Sequence, residues 1–185
     1  YDSGGPSASR MDVFGSSGVR GVALEELTPA DVLEIAEAAG SAFAAEHDRV
    51  AVGQDTRETG GLFVDAVASG LASVGCDVDR VGVVPTPALQ AYCEREGVPG
   101  VMVTASHNPP EFNGIKLCGP DGVELRSSAL EGIEERLADG VATVGWNESG
   151  ESRSVEGANR SYRAQLPDAV ARDRIAEAEL TVALD

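Results

Sequence analysis

The sequence VMVTASHNPPEFNGIK, at residues 101–116, combines a predicted strand with a polar loop. It starts as a short apolar run, passes through small, polar and proline residues, and becomes apolar again at Ile115. A strand that leads into a tight loop is a common place for chemistry in an α/β sheet. The stretch offers a hydroxyl, an imidazole, an amide and an ammonium, from Ser106, His107, Asn108 and Lys116. Such a set can hold a phosphoryl group, move a proton and neutralise anionic oxygens.

Lys116 is the only lysine of the chain, because 13 of its 14 lysine and arginine residues are arginines. Chance is one explanation for this single lysine. The other is a function that arginine cannot perform, since lysine carries a compact charge that suits proton transfer and phosphate contact.

Strand and helix signals alternate along the chain and predict an α/β fold with a mixed, largely parallel sheet flanked by helices. Thr28 and Pro29 form a helix start signal, and Ser127 is predicted to cap another helix. A turn signal at 119–122 predicts that the strand at 123–125 returns as a hairpin partner. The predicted helices are 28–43, 63–74, 86–96 and 127–137, and the predicted strands are 49–53, 81–84, 100–104, 115–117 and 123–125.

Composition divides the chain into three parts. Residues 1–10 are rich in Gly, Ser and Pro and are predicted to be a flexible tail, and residues 11–150 are predicted to form one complete domain. Residues 151–185 carry a predicted helix at 158–174 and a predicted strand at 180–184, which are too few to build a core of their own. We therefore expect 151–185 to be the truncated start of a second α/β domain.

The charge balance is strongly acidic, with 31 acidic against 14 basic side chains and a net charge of −17. Such a surface would repel nucleic-acid phosphates and anionic membranes, so neither is an expected partner. Carboxylates scattered among apolar periodic segments are typical of a folded protein, and the near-absence of lysine favours a halophilic source.

The three cysteines, Cys76, Cys93 and Cys118, form no C-x-x-C pair, and the chain has only two histidines. This spacing argues against a zinc site and predicts buried thiols in a protein of the reducing cytoplasm. No apolar run in the sequence reaches membrane-spanning length.

The motif T-A-S-H-N-P-P at 104–110, followed by N-G-I-K at 113–116, resembles the phosphoserine loop of the α-D-phosphohexomutases, such as phosphoglucomutase and phosphomannomutase. The resemblance extends from about Met11 to Gly140, the family's first domain. It implies that Ser106 carries a phosphoryl group, which passes between C1 and C6 of a hexose phosphate by way of a bisphosphorylated sugar intermediate.

The resemblance also implies roles for the residues of the loop. Ser106, or its phosphate, would be one ligand of a Mg²⁺ ion, because Mg²⁺ prefers oxygen ligands and neutralises the transferring group. His107 and Lys116 would handle protons, with either one as the acid and the other as the base. Arg20 would stabilise developing negative charge, and Asn108 would orient the loop.

Two further segments resemble parts of the same family. Residues 14–21 are similar to its F-G-T-S-G-x-R-G stretch, in which Ser16 stands where a threonine is frequent. Asp55 and Arg57 lie in a segment similar to G-R-D-T-R, in which Gln54 replaces the first arginine. We predict that Asp55 and Arg57 form a charge pair that orders the loops below the site.

Several family motifs do not occur in this sequence, namely the D-G-D-x-D-R metal loop, the G-E-x-S-G sugar loop and the R-x-S-G-T phosphate loop. The remaining domains of the same enzyme would supply them, so this chain is expected to be inactive alone. The residues at 110–114 resemble the phosphomannomutase/phosphoglucomutase branch more than the phosphoglucosamine branch. A Ser-His hydrolase is disfavoured because G-x-S-x-G is absent. The alternative is a stand-alone domain that binds a phosphosugar or a partner without catalysis.

Overall fold

The computed structural model describes residue 14 and residues 18–183. The predicted tail at 1–10 and the predicted site residue Ser16 lie outside these residues. The described part forms one six-stranded sheet with helices on both faces, which confirms the predicted fold class. Its strands are β1 (Val19–Val22), β2 (Arg49–Gln54), β3 (Asp77–Val83), β4 (Gly100–Val103), β5 (Phe112–Cys118) and β6 (Ser152–Ser154).

The strands follow the spatial order β1-β5-β4-β2-β3-β6. The pairs β2–β4, β2–β3 and β3–β6 are parallel, whereas β5 runs antiparallel to both β1 and β4. The carboxyl ends of β2 and β4 therefore lie side by side at one edge of the sheet. This edge carries the loop at 104–111 and the segment that begins at Asp55, as expected for parallel strands.

The helices that follow these strands bury two apolar layers. They are α1 (Pro29–Phe43), α2 (Gly60–Ser73), α3 (Thr86–Glu96), α4 (Ser127–Asp139), α5 (Ala158–Gln165) and α6 (Arg172–Glu177), with a 3₁₀ turn at Leu166–Asp168. Side chains of α1, α2 and α4 pack with alternate residues of the central strands in one layer, and those of α3 and α5 pack in the other. Burial on both faces explains the apolar sequences of β4 and of the four central residues of β2, at 50–53.

The predicted start of α1 is confirmed in detail. Thr28 is the N-cap, its hydroxyl accepts the Asp31 backbone N–H, and the Asp31 carboxylate accepts the Thr28 N–H in return. This capping box satisfies two backbone donors that have no partner within the helix. The predicted helices α2 and α3 are also present, and α3 ends at Gly97 in the left-handed conformation that glycine favours.

Two predictions in the region 115–137 are wrong. Val123–Leu125 forms no strand. After the turn at 119–122 the chain pairs with β5 only through one antiparallel bridge, between Cys118 and Glu124, because α4 begins already at Ser127. Ser127 is the first helical residue and does not cap the helix. The first backbone bonds of α4 run from Ala129 and Leu130 to the carbonyl oxygen of Arg126, which places the cap one residue earlier.

The predicted helix at 158–174 is also wrong, since α5 and α6 replace it. Pro167 has no backbone N–H to continue the helix, and a 3₁₀ turn separates the two helices. Leu180 to Ala183 have no regular secondary structure, contrary to the predicted strand, and residues 184–185 lie outside the described part.

Strand β6 was not predicted and adds a parallel neighbour to β3. Its three side chains are exposed, so no alternation of apolar residues could reveal it. Ala158 and Tyr162 of α5 pack in the same layer as α3. Residues 152–162 thus extend the first sheet and its core, while the division of the longer chain at residue 150 stays a prediction.

All three cysteines are free thiols and are buried. Burial, with smaller effects from Asp77 and Asp48, raises the pKa of the Cys76 thiol to about 11. A hydrogen bond with Cys118, whose sulfur lies 3.6 Å away, and burial raise the pKa of Cys93. Buried thiols of this kind act as small apolar side chains.

Candidate functional site

Ser106 stands at the tip of the loop that follows β4. Its backbone has a φ of 58°, a left-handed conformation that is uncommon for a residue with a side chain. The Ser106 N–H donates to the Thr104 hydroxyl at 2.9 Å, and the Asn108 N–H donates to the Ala105 carbonyl oxygen at 3.1 Å. These bonds close a tight turn and leave the Ser106 side chain exposed to solvent.

Arg57 holds this loop from below. Its guanidinium donates to the carbonyl oxygens of Ser106 at 3.0 Å, Asn108 at 2.8 Å, Pro109 at 2.7 Å and Phe112 at 2.8 Å. Only 10% of the Arg57 side chain is exposed. Hydrogen bonds from a charged donor are stronger than neutral ones, and four of them to one loop fix its path.

Asp55 links the same arginine to the turn of Ser106. Its carboxylate accepts the backbone N–H of Arg57 at 3.0 Å and the Arg57 Nε at 3.1 Å. It also accepts the hydroxyl of Thr104 at 2.6 Å, and that hydroxyl in turn accepts the Ser106 N–H. A connected network of charged and neutral hydrogen bonds therefore runs from Asp55 to the backbone of the serine.

Arg20, on β1, reaches the loop from the other side. Its Nη1 donates to the side-chain oxygen of Asn108 at 2.9 Å. Its Nε is buried and has no hydrogen-bond partner among the described residues. The structure thus brings together Arg20 and Asn108, two of the residues that the sequence predicts for the site.

His107 is exposed next to Ser106, and its Nδ1 lies 3.5 Å from the Ser106 Oγ. This distance is at the upper limit for a hydrogen bond, so the two side chains adjoin without forming a short contact. Apo geometry of this kind does not disqualify a proton carrier, because catalytic hydrogen bonds often tighten when substrate binds.

Lys116 lies on β5 and contacts a different partner. Its Nζ donates to the carboxylate of Glu124 at 2.8 Å. The two side chains line a cavity of about 290 Å³ that has Gly18 and residues of α4 in its wall. Ser106 lines a separate, open cavity of about 640 Å³ together with Asp55, Arg57, Asn108 and others. In this arrangement the structure does not bring Lys116 into contact with the serine.

Sequence reasoning missed three residues that support the site. Thr104 carries the link between Asp55 and Ser106, and Glu124 pairs with Lys116. Asn113, fully buried, donates to the Thr59 hydroxyl at 3.0 Å and accepts the Gly114 N–H at 2.8 Å. The T-A-S-H-N and N-G-I-K motifs contain Thr104 and Asn113, whereas no local signal distinguishes Glu124 from the other surface carboxylates.

The donor set beside Ser106 suits a hard cation in part. Ser106 presents a hydroxyl oxygen to the open cavity, which Mg²⁺ prefers as a ligand type. Asp55 is occupied, because its oxygens already accept bonds from Arg57 and Thr104. Among the described residues no cluster of three or more His, Cys, Asp or Glu side chains could hold a metal ion. In residues 18–183, no helix has the length and apolarity that crossing a bilayer requires.

Comparison with known proteins identifies relatives of this chain in both sequence and structure. The sequence profile described as "Phosphoglucomutase/phosphomannomutase, alpha/beta/alpha domain I" matches residues 11–143. The chain is 44% identical to a phosphoglucomutase/phosphomannomutase of Thermococcus kodakarensis over 151 residues, which are 78% of this chain and 33% of that protein. It is 40% identical to a probable phosphoglucosamine mutase of Methanocella arvoryzae over 136 residues, 74% of this chain and 30% of that protein.

Solved structures agree. A putative phosphomannomutase of Thermus thermophilus superimposes with a TM-score of 0.76 at 29% identity, over 86% of this chain and 36% of that one. A phosphoglucomutase/phosphomannomutase family protein of Burkholderia thailandensis gives 0.72 at 30% identity, over 85% of this chain and 36% of that one.

The fold and the site define an α/β/α domain in which Arg57 and Asp55 hold an exposed serine at the carboxyl end of a parallel strand. The chain belongs to the phosphoglucomutase/phosphomannomutase family and carries its α/β/α domain I. It spans about a third of the length of the relatives that it matches.

Proposed function

We propose that this chain is the phosphoserine domain of a phosphohexomutase, which moves phosphate between C1 and C6 of a hexose phosphate. The observation that supports the proposal most is the presentation of Ser106. An arginine with four carbonyl acceptors fixes an exposed serine in a left-handed turn, in a chain that belongs to a family of mutases. A rigid backbone that exposes one hydroxyl is suited to a group that alternately carries and releases phosphate.

The chemistry consists of two phosphoryl transfers. In the first, the bond between phosphorus and the Ser106 oxygen breaks, and a bond forms to a free hydroxyl of the sugar phosphate. The proton of that hydroxyl leaves, and the Ser106 oxygen gains a proton. In the second, the bisphosphorylated sugar returns its other phosphate to Ser106, and the protons move in the opposite direction. Serine is phosphorylated again at the end, so no cosubstrate is consumed.

We assign the accompanying roles to the neighbouring side chains. His107, next to the hydroxyl, and Lys116 are the proton carriers, and either can be the acid in a given half-reaction. Arg20 stabilises negative charge on the transferring group, because its guanidinium is always charged and reaches the loop at Asn108. Asn108 holds Arg20, and Asp55 and Arg57 hold the loop.

The Ser106 oxygen, or its phosphate, is proposed as one Mg²⁺ ligand, and the other ligands would come from outside this chain. Bound Mg²⁺ would neutralise charge on the phosphoryl group. The full-length enzyme, meaning a protein with the length of the matched relatives that contains this domain, would act on hexose phosphates in the cytoplasm. The motif at 110–114 favours mannose or glucose phosphates over glucosamine phosphates. This chain alone is expected to show negligible turnover.

The test measures mutase activity and bound phosphate in the full-length enzyme and in its Ser106→Ala variant. We expect Ser106→Ala to lose at least about 1000-fold in kcat, because the group that carries phosphate is gone. Mass spectrometry of the wild type should map one phosphate to Ser106. Ser128→Ala, an exposed serine of α4, is the matched control and should keep full activity.

Two outcomes would contradict the proposal. Full activity of Ser106→Ala would exclude the phosphoserine, and no turnover of any hexose phosphate by the wild type would exclude the mutase. Tight binding of a hexose bisphosphate without turnover would instead favour the binding domain.

A further inference from the structure

The strongest unassigned feature is the ion pair between Lys116 and Glu124. It joins the only lysine of the chain to a carboxylate that no motif suggests, with 2.8 Å between Nζ and Oε1. Only 19% of the Lys116 side chain is exposed, although lysine is normally among the most exposed residues.

Glu124 is fixed opposite Lys116 by the backbone that follows β5. The Gly119 N–H donates to the Val123 carbonyl oxygen at 2.8 Å, and the Leu125 N–H donates to the Leu117 carbonyl oxygen at 3.1 Å. These two bonds flank Glu124, which itself forms the bridge with Cys118. The carboxylate therefore projects from an ordered segment and not from a free loop.

The stem of Lys116 is confined as well. Gly18 has a φ of 86°, and a Cβ added there would lie 3.1 Å from the Lys116 Cγ and 2.2 Å from the Ile115 carbonyl oxygen. Only glycine allows the N-terminal segment to approach β5 this closely. Gly18 thus packs against one end of the side chain, and Glu124 binds the other.

A lysine side chain has four rotatable bonds, and holding it in one rotamer costs entropy. The Lys116 side chain is mostly covered and the Glu124 side chain is 48% exposed, so their charged bond can offset part of this cost. Confinement at both ends is therefore an arrangement that gives a flexible ammonium one defined position.

We propose that Glu124 is a positioning residue for Lys116, which fixes the place of its ammonium in the cavity between β5 and α4. This inference rests on the proposed function for its catalytic consequence, whereas the positioning itself can be tested without turnover. Glu124 does not touch Ser106 or line its cavity. Its effect on the reaction would pass entirely through the lysine.

The first experiment measures acetylation of Lys116 by an N-hydroxysuccinimide ester in this chain. A single lysine makes the readout specific, and peptide mass separates it from the terminal amine. Releasing Nζ from the carboxylate should raise the rate for Glu124→Gln about three- to fivefold, the range that a partly exposed ion pair supports. Glu124→Asp keeps the charge and should restore most of the protection.

Glu131→Gln is the matched control, because Glu131 lines the same cavity and makes no ion pair with Lys116 in the structure. Its rate should stay within about 1.5-fold of the wild type, a change that ordinary surface substitutions produce. Equal rates for Glu124→Gln and Glu131→Gln would overturn the positioning role. Near-identical circular dichroism spectra and melting temperatures of the three variants will exclude unfolding as the cause of faster acetylation. The Nζ chemical shift of Lys116, compared between Glu124→Asp and the wild type, gives an independent measure of the contact.

The second experiment uses the full-length enzyme. Glu124→Gln should lower kcat about tenfold with KM changed less than twofold, since the lysine is misplaced while substrate binding is retained. Unchanged kcat, despite faster acetylation of Lys116, would overturn the catalytic part of the inference. A wild type without mutase activity but with the predicted acetylation pattern would refute the proposed function and leave the positioning intact.

Discussion

At the scale of single residues, Arg57 is the clearest example of a side chain whose replacement should disorder the site. Lysine keeps the charge of arginine but lacks the planar fork that reaches four carbonyl oxygens. We expect Arg57→Lys to lower the free energy of unfolding by about 3 kcal/mol, because several bonds to a charged, mostly buried donor are lost. Urea denaturation will measure this loss, and hydrogen exchange should quicken at the Asn108 and Phe112 amides.

Arg80→Lys is the control for that prediction. Arg80 pairs with Asp65, whose side chain is 70% exposed, so its replacement should change stability very little. A loss for Arg57→Lys no larger than that for Arg80→Lys would contradict the importance of the four carbonyl contacts.

Cys76 gives a prediction about pH. Its pKa rises from about 9 to about 11 on folding, mainly through burial. The stabilising contribution is therefore complete below pH 9 and is lost as the pH rises through 11, because the unfolded chain ionises the thiol first. The loss should approach about 2 kcal/mol. Urea denaturation between pH 8 and 11 will test it.

Cys76→Ala provides the reference for that experiment. The difference in stability between wild type and Cys76→Ala should shrink across this pH range, while other titrating groups affect both proteins alike. A difference that stays constant from pH 8 to 11 would refute the assignment to Cys76.

At the scale of elements, β6 depends on a buried charge. Asp79 of β3 is fully buried and accepts from Arg153 of β6 at 2.6 Å and from the Tyr92 hydroxyl at 2.8 Å, with Arg49 at 3.3 Å. Burial and the hydrogen bond to Asp79 raise the pKa of Tyr92. Since three exposed residues form β6, this carboxylate anchors the strand more than apolar packing does.

We therefore expect Asp79→Asn to cost about 3 kcal/mol, because removing one member of a buried ionic cluster leaves the others without a partner. Hydrogen exchange should quicken first at the amides of Val78 and Val155, which bond across the β3–β6 boundary. Asp65→Asn, in an exposed ion pair, serves as the control. Unchanged protection at Val78 and Val155 in Asp79→Asn would show that β6 is held by other contacts.

The elements also show what the sequence could predict and why. Helices α1 to α4 and the buried strands follow from local periodicity and start signals. In these segments the tertiary contacts favour the same secondary structure as the local sequence does. Strand β6 was not predicted because its residues are exposed. The break after α5 was not predicted because the helical spacing of Tyr162, Leu166 and Val170 continues across Pro167. In the site, residues within motifs were identifiable, whereas the contacts of Arg57 and the Lys116–Glu124 pair join segments distant in sequence and depend on the fold.

At the scale of the whole molecule, the net charge of −17 leads to a prediction about salt. Repulsion among exposed carboxylates destabilises the folded chain at low ionic strength, and salt screens it over a few ångströms. We expect the melting temperature to rise by about 4 to 8 °C between 0.05 M and 2 M KCl, because about 2 kcal/mol of screened repulsion would produce that shift in a chain of this size. Melting followed by circular dichroism will measure it.

Sucrose at matched osmolality is the control, since it stabilises folded proteins without screening charge. A melting temperature that does not respond to KCl, or responds no more than to sucrose, would count against a halophilic protein.

The hydrogen bonds from Arg57 to the loop also orient the peptide dipoles around Ser106. All five N–H bonds of the guanidinium are engaged, one by Asp55 and four by carbonyl oxygens, so none is left to bind a phosphate. In a trans peptide the C=O and N–H bonds point in opposite directions. Because the Ser106 carbonyl oxygen faces Arg57, the N–H of His107 faces away from it, and the two prolines that follow Asn108 offer no such donor. If Ser106 carries a phosphate, as proposed, the arginine acts on it indirectly, by turning the N–H end of one peptide dipole away from the guanidinium.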